Sequence, residues 1–263
     1  MGEKIELLVT VKTYPLPSTD LAIREQVCTA GVLRDGSFRR IYPVNFRDRP
    51  YWEWYSKYDW IELEVEKSQD DERPESFSPI PGTAIRKVGY LDERRNWLFR
   101  KQVVLAKGTQ TMCSLRRAAR HECSLGIVRP REVTDVRFLR TSSTWKPEWE
   151  VLFRQQRLFG PQQRPLEKIP YDFRYWFRCE DPNCPGQHKM IITDWDLGVL
   201  FRKMRDKFGD ERVAAQKVRQ KYLDQMCAPD VDTHFFVGTV RQYGTWIVLG
   251  VFWPKKDKQD SIW

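Results

Sequence analysis

Long apolar runs are missing from this 263-residue sequence; none approaches the roughly 18–20 residues needed to span a bilayer as a helix. The opening stretch MGEKIELLVTVKTYP turns acidic at Glu3 and has no apolar segment followed by a small-residue cleavage site, so it does not read as a secretory signal. It begins Met-Gly but carries Glu6 where a myristoylation signal prefers Ser or Thr. These absences predict a soluble cytoplasmic protein with no membrane partner. Cysteine is sparse, six residues in all, and too scattered for the disulfide framework of a small secreted domain. Reduced thiols, some of them metal ligands, are the expectation. Histidine is scarcer still, with three. There is no GxGxxG, no phosphate loop and no internal repeat.

What is present is positive charge, and it is concentrated. The net charge is +9, and hydrophobic residues make up 41%, an ordinary share for a chain that buries a core. Between Arg86 and Arg140 stand 14 Lys and Arg against five acids, a surplus equal to that of the whole protein. Such a segment favours a polyanionic partner, DNA or RNA first. A solvated charged surface is the plainer alternative.

The first ninety residues read as strands: IELLVTVK, then QVCTAGV and RRIYPV around the Asp35-Gly36 turn, then the alternating DWIELEVEK and TAIRKVGYL. From there DERRNWLFRKQVVLA, TQTMCSLRRAARHECSL and PEWEVLFRQQRLF predict helices. The link GPQQRPLEKIP follows. Beyond it YDFRYWFRC and QHKMIITDW form a hairpin, followed by two amphipathic helices and the strands HFFVGTV and TWIVLGVFW. The expected class is α+β: a β-rich barrel-like or sheet domain over 1–92, a basic helical segment over 93–160, and an α+β part over 161–263 with a zinc-tipped hairpin. One continuous domain is the alternative.

Cys179, Cys184 and His188 fall within ten residues around Pro182, Pro185 and Gly186. A soft S/S/N set at this spacing suits zinc, which in structural sites takes four ligands. Cys123 is the leading fourth ligand, with its neighbour His121, and Cys113, Cys227, His234 and Asp181 remain open. The His-x-Glu and Pro-Cys-x-x-Cys spacing of zinc deaminases is absent. The helix after the hairpin has no histidine of the kind a ββα-metal nuclease would use, so a structural role is favoured.

Asp194 and Asp196 offer a metal-binding carboxylate pair or, more plainly, a helix N-cap with an acid in the first turn. Glu62, Glu64 and Glu66 share a strand face that could hold magnesium or simply face water. Cys28 has no histidine near it in sequence and reads as a small strand residue. On the hairpin, Arg174, Trp176 and Arg178 alternate with apolar residues, giving a basic face with a stacking plate, which Lys189 can join. Tyr51 to Trp60 is aromatic-rich and suits a core or a partner surface.

The run VKTYPLPS…VCTAG…RRIYPVNFR…RPES, with CEDPNC…H…DW and VGTV…VLGVFWP downstream, resembles a widespread bacterial protein family of unknown function over nearly the whole chain. The resemblance implies a bacterial cytosolic setting and no activity or catalytic residue. The leading expectation is an accessory nucleic-acid-binding protein, possible in a defence or genome-maintenance assembly, with phosphate contacts from Arg94, Arg95, Arg116, Arg117, Arg120, Arg174 and Arg178, and Trp176 beside them. The alternatives are a magnesium-dependent nuclease built on Asp194/Asp196 or Glu62/Glu64, and a protein-interaction subunit using the aromatic segment and the terminal Ser-Ile-Trp.

Overall fold

The structure is a computed structural model describing residues 2–17, 25–118, 121–154 and 165–257. Its strands begin with β1 (Glu3–Lys12), β2 (Leu16–Pro17), β3 (Glu25–Leu33) and β4 (Phe38–Val44), followed by β5 (Asp59–Lys67), β6 (Ser76–Pro79) and β7 (Arg86–Tyr90). β1 pairs with both β3 and β5, β3 with β4, β4 with β6 and β6 with β5, so five strands close into a ring. β7 extends it from β5 and β2 from β3. Alternation sends Ile5, Leu7, Val9, Ile61, Leu63 and Val65 into the barrel, where they pack with Val27, Ile41 and Phe46. Gly36, at φ +80°, makes the turn between β3 and β4 where a side chain would be strained.

Three short helices, α1 (Arg94–Val104), α2 (Met112–Arg117) and α3 (Pro147–Arg154), occupy the middle, but two strands, β8 (Leu125–Val128) and β9 (Pro130–Arg140), interrupt them. This corrects the expectation of a basic helical segment over 93–160. β9 carries Val133, Thr134 and Val136, good strand formers, while Arg131, Glu132 and Arg137 take its exposed positions, so charge conceals the alternation. α1 also opens irregularly: Arg95, Asn96 and Trp97 have positive φ of 51–61°. Asn96 offsets that strain by bonding the carbonyl of Lys255 and accepting its N–H, and Trp97 packs edge-on against Phe252.

The remaining elements are β10 (Tyr171–Cys179), β11 (His188–Ile191), α4 (Trp195–Phe208), α5 (Glu211–Gln220), β12 (His234–Thr239) and β13 (Trp246–Phe252). They form two three-stranded sheets, β11-β10-β9 and β13-β12-β8. The second is a middle layer. Phe235, Val237 and Val248 face a core made with β10, α4 and α5, while Phe236, Leu249 and Phe252 face the outside of the barrel at Leu8, Val11 and Trp60. β9 and β12 thus join the middle segment to the last hundred residues, and the fold is a mixed, strand-rich α+β arrangement.

The first turn of α4 locks these layers to the barrel. Tyr14 N–H donates to Thr193 O, and Lys12 lies 4.0 Å from the Phe46 ring and 4.1 Å from that of Trp195. Burial holds the Lys12 pKa down to about 8. Lys57 Nζ bridges the buried Asp194 at 2.5 Å and the exposed Asp196 at 2.9 Å. Burial alone would lower the Lys57 pKa, but Asp194 and then Asp196 outweigh it and raise it. Lys57→Met should leave Asp194 without a counter-charge and cost about 3–5 kcal/mol in urea unfolding. Asp196→Asn, at an exposed carboxylate, should cost less than about 1 kcal/mol.

Candidate metal centre and the basic sheet face

Cys113, Cys179, Cys184 and His188 place one ligand atom each within 4.8 Å of all the others and could hold a metal ion. Cys179 ends β10, His188 opens β11, and Cys184 sits in the turn between them. Cys113 comes from α2, 66 residues before Cys179. Cys179 Sγ lies 3.6 Å from Cys113 Sγ, and His188 Nε2 lies 3.3, 3.4 and 3.7 Å from Cys179, Cys184 and Cys113. A metal–sulfur distance of about 2.3 Å calls for tetrahedral edges of about 3.8 Å, slightly less where nitrogen replaces sulfur. The set is therefore closed around the volume of one ion.

The surroundings hold α2 to the hairpin. Asp181 accepts hydrogen bonds from Thr111 Oγ1 at 3.2 Å and Arg117 Nη2 at 2.6 Å, and its other oxygen accepts Asn183 N–H. Thr111 caps α2 in a capping box with Ser114. Burial and then hydrogen bonds with Cys179 and Cys184 push the Cys113 thiol up to about 12. A divalent cation would reverse this by compensating the clustered thiolates. Burial, then the charge of Arg116, lowers the His188 pKa and favours the neutral imidazole a metal needs.

The fourth position belongs to Cys113 and not to Cys123, the leading candidate from sequence. The Cys123 thiol donates to Leu125 O at 2.9 Å and is raised to about 11 by burial and by Glu75. His121 is exposed, Cys227 donates to Tyr222 O, and His234 sits beside Asp232, all outside the cluster. No spacing rule links Cys113 to the hairpin, and nothing in the sequence around it singles it out; the packing of α2 selects it.

Of the eight residues expected to bind nucleic acid, the structure brings three onto one surface. Arg174, Trp176 and Arg178 point outward from β10 while Tyr175 and Phe177 point inward. Across the register Arg174 faces Arg137, and Trp176 faces Asp135 on one side and Lys189 on the other. The Arg137 guanidinium lies 3.7 Å from the Trp176 ring and Lys189 Nζ 4.2 Å. Asp135 holds Arg137 at 3.0 Å and Arg219 at 2.9 Å, and Asp172 lies 3.6 Å from Arg174.

The others disperse. Arg94 pairs with Asp92, Arg95 sits in the left-handed turn, Arg116 lines a small cavity near Cys123 and Trp246, and Arg117 is bound to Asp181. Arg120 lies outside the described residues. Across the 86–140 segment Arg86, Arg100, Lys101, Arg129, Arg137 and Arg140 are also ion-paired. The central surplus is therefore largely met by acids one at a time.

Each carboxylate pair already has a cationic partner. Lys57 occupies the space between Asp194 and Asp196, and Asp194 caps α4 through Asp196 N–H. Glu62 is paired with Lys4 and Arg86, while Glu64 points to solvent on the same face.

Residues 108–263 match the family model described as Domain of unknown function (DUF8757), more than half of the sequence, and the chain belongs to that family. Residues 3–106 match a second, Domain of unknown function (DUF8758), so the two meet between α1 and α2. No curated protein matches. Among solved structures, the crystal structure of the tetrameric p202 HIN2 aligns with 98% of this chain and 94% of that chain, at 7% identity and a TM-score of 0.32, a likeness too low to bear on function. No helix among the described residues is long and apolar enough to cross a membrane.

Cys113→Ser should remove bound metal and lower the melting temperature of the purified protein, whereas Cys123→Ser should keep its metal. Elemental analysis beside a thermal melt reads both.

Proposed function

We propose that this protein is a non-catalytic, cytoplasmic nucleic-acid-binding protein in which a structural zinc ion pins α2 to the β10–β11 hairpin. The zinc reading is supported by a closed set of four soft ligands, three of them buried, with no position left for a substrate or a catalytic water. The observation that carries the binding reading is the like-charged pair Arg137 and Arg174, directly opposed on neighbouring strands beside Trp176. Like charges in that register are unfavourable without compensation; Asp135 and Asp172 supply it here, and a phosphate between the two arginines would take over that role. Arg178 and Lys189 widen the face, and exposed ion pairs such as Arg174–Asp172 are weak enough to exchange for phosphate. A base stacking on Trp176 would have to displace Arg137 or Lys189 from its ring.

Binding should weaken steeply with salt, since each neutralised phosphate releases counterions. Fluorescence anisotropy with single-stranded DNA, single-stranded RNA and duplex DNA tests this. Arg137→Ala/Arg174→Ala/Arg178→Ala should reduce the log–log salt slope by about 2–3. Trp176→Ala should cost about 1–3 kcal/mol on single strands and little on duplex. Absence of binding at about 50 mM salt, or a triple variant that binds like the parent, would refute the proposal.

One observation favours a protein partner as a second reading. The aromatic segment divides: Tyr55, Tyr58 and Trp60 are buried, while Tyr51 and Trp52 are 80% and 75% exposed. The terminal Ser-Ile-Trp lies outside the described residues.

A further inference from the structure

Where the barrel meets the C-terminal layers lies a half-open cavity of about 890 Å³, within the size range of small-molecule sites. Phe173, Ile192, Leu197 and Leu249 give it apolar walls, and Trp145 and Tyr171 add aromatic surface. Its residues come from both family-model regions, so neither region forms it alone.

Positive charge collects in one part of it. Arg40, Arg73 and Arg241 line the cavity with Tyr42 and Cys28, and the charges of Arg73 and Arg241 both reach the Tyr42 hydroxyl. Arg73 donates to the carbonyl of Thr239, two residues before Arg241, which ties this cluster to the end of β12. Arg40 is the most telling of the three. It is 2% exposed, yet its guanidinium meets only neutral acceptors: Ser76 Oγ and Ser124 Oγ at 2.9 Å, and Ser124 O at 3.1 Å. Among the described residues no carboxylate forms an ion pair with it; Glu75 is reached only through Ser124, whose hydroxyl it accepts at 2.5 Å. Burial disfavours the Arg40 charge, while Glu75 and Asp71 favour it without touching the guanidinium; an anion in the cavity would give it a direct counter-charge. On the lining Arg40, Arg73, Lys168 and Arg241 stand against Asp172 and Asp194, while Asp71, off the lining, pairs with Arg73.

We infer that this cavity binds a mononucleotide-sized aromatic anion, its phosphate against Arg40, Arg73 and Arg241 and its ring against Trp145, Tyr171 and the apolar wall. Lys168 and Asp172, also on the lining, supply a donor and an acceptor for the polar edge of a base. The cavity is lined by Tyr171 and Phe173 from the inward side of β10 and does not include Arg137, Arg174, Trp176 or Arg178; it meets the outer face only at Asp172, which pairs with Arg174.

Isothermal titration of the full chain with 5′-AMP, 5′-GMP, 5′-CMP and 5′-UMP, each run beside inorganic phosphate, tests the inference. At least one mononucleotide should bind 1:1, with phosphate alone weaker by about tenfold or more. Arg241→Ala removes an exposed charge and should weaken binding about tenfold without moving the melting temperature. Val240→Trp, which fills the cavity, should abolish binding, and Arg137→Ala on the outer face should leave it unchanged. The inference is overturned if none of the four binds at about 5 mM, if binding survives both Arg241→Ala and Val240→Trp, or if inorganic phosphate binds equally well.

Discussion

The strand β12 is buried along its entire length, and the rest of the molecule depends on that burial. Phe235 and Val237 face one core, Phe236 the other, and Phe236 covers the outside of a barrel that would otherwise present Leu8, Val11 and Trp60 to water. Burying one such aromatic side chain contributes about 1.5–3 kcal/mol, so loss of this layer would expose two cores at once. β8 completes the layer from 110 residues upstream, at Phe235↔Val128 and Phe236↔Ile127, so its position depends on long-range pairing and not on local preference.

Two polar devices fix what the apolar layers leave loose. Lys57 and the first turn of α4 hold the barrel against the C-terminal layers, while the cysteine–histidine cluster and Asp181 hold α2 against the hairpin. Both place charged or metal-binding groups where burial alone would disfavour them, and in both the partners come from distant parts of the sequence. The glycine at 198 belongs to the same junction: a Cβ there would lie 2.3 Å from the Tyr14 ring, so only glycine lets α4 approach β1's end this closely.

Legibility in the sequence followed locality. β5 matches DWIELEVEK because its alternation is uninterrupted, and the β3–β4 turn was visible in Asp35-Gly36. Cys179, Cys184 and His188 were readable because a single turn holds them. Cys113 was not, since nothing in its own neighbourhood distinguishes it from Cys123; only the packing of α2 selects it. β9 was hidden by its own charges, and the pooled charge of the middle segment misled because a count of residues carries no information on partners such as Asp181, Asp232 or Glu211. The cavity was beyond sequence reading for a similar reason: Arg40, Arg73 and Arg241 acquire a common purpose only after the halves are joined.

The middle layer also sets an order of events on the ribosome. The barrel strands are made first, yet the apolar patch outside them is covered only in part, by α1 and β8, until β12 and β13 have been translated, well over a hundred residues after the barrel. For that interval the nascent chain carries a partly covered, strand-bordered apolar surface, the kind of intermediate that chaperones shield. Stalled or shortened translation products should therefore aggregate even though their barrel sequence is intact.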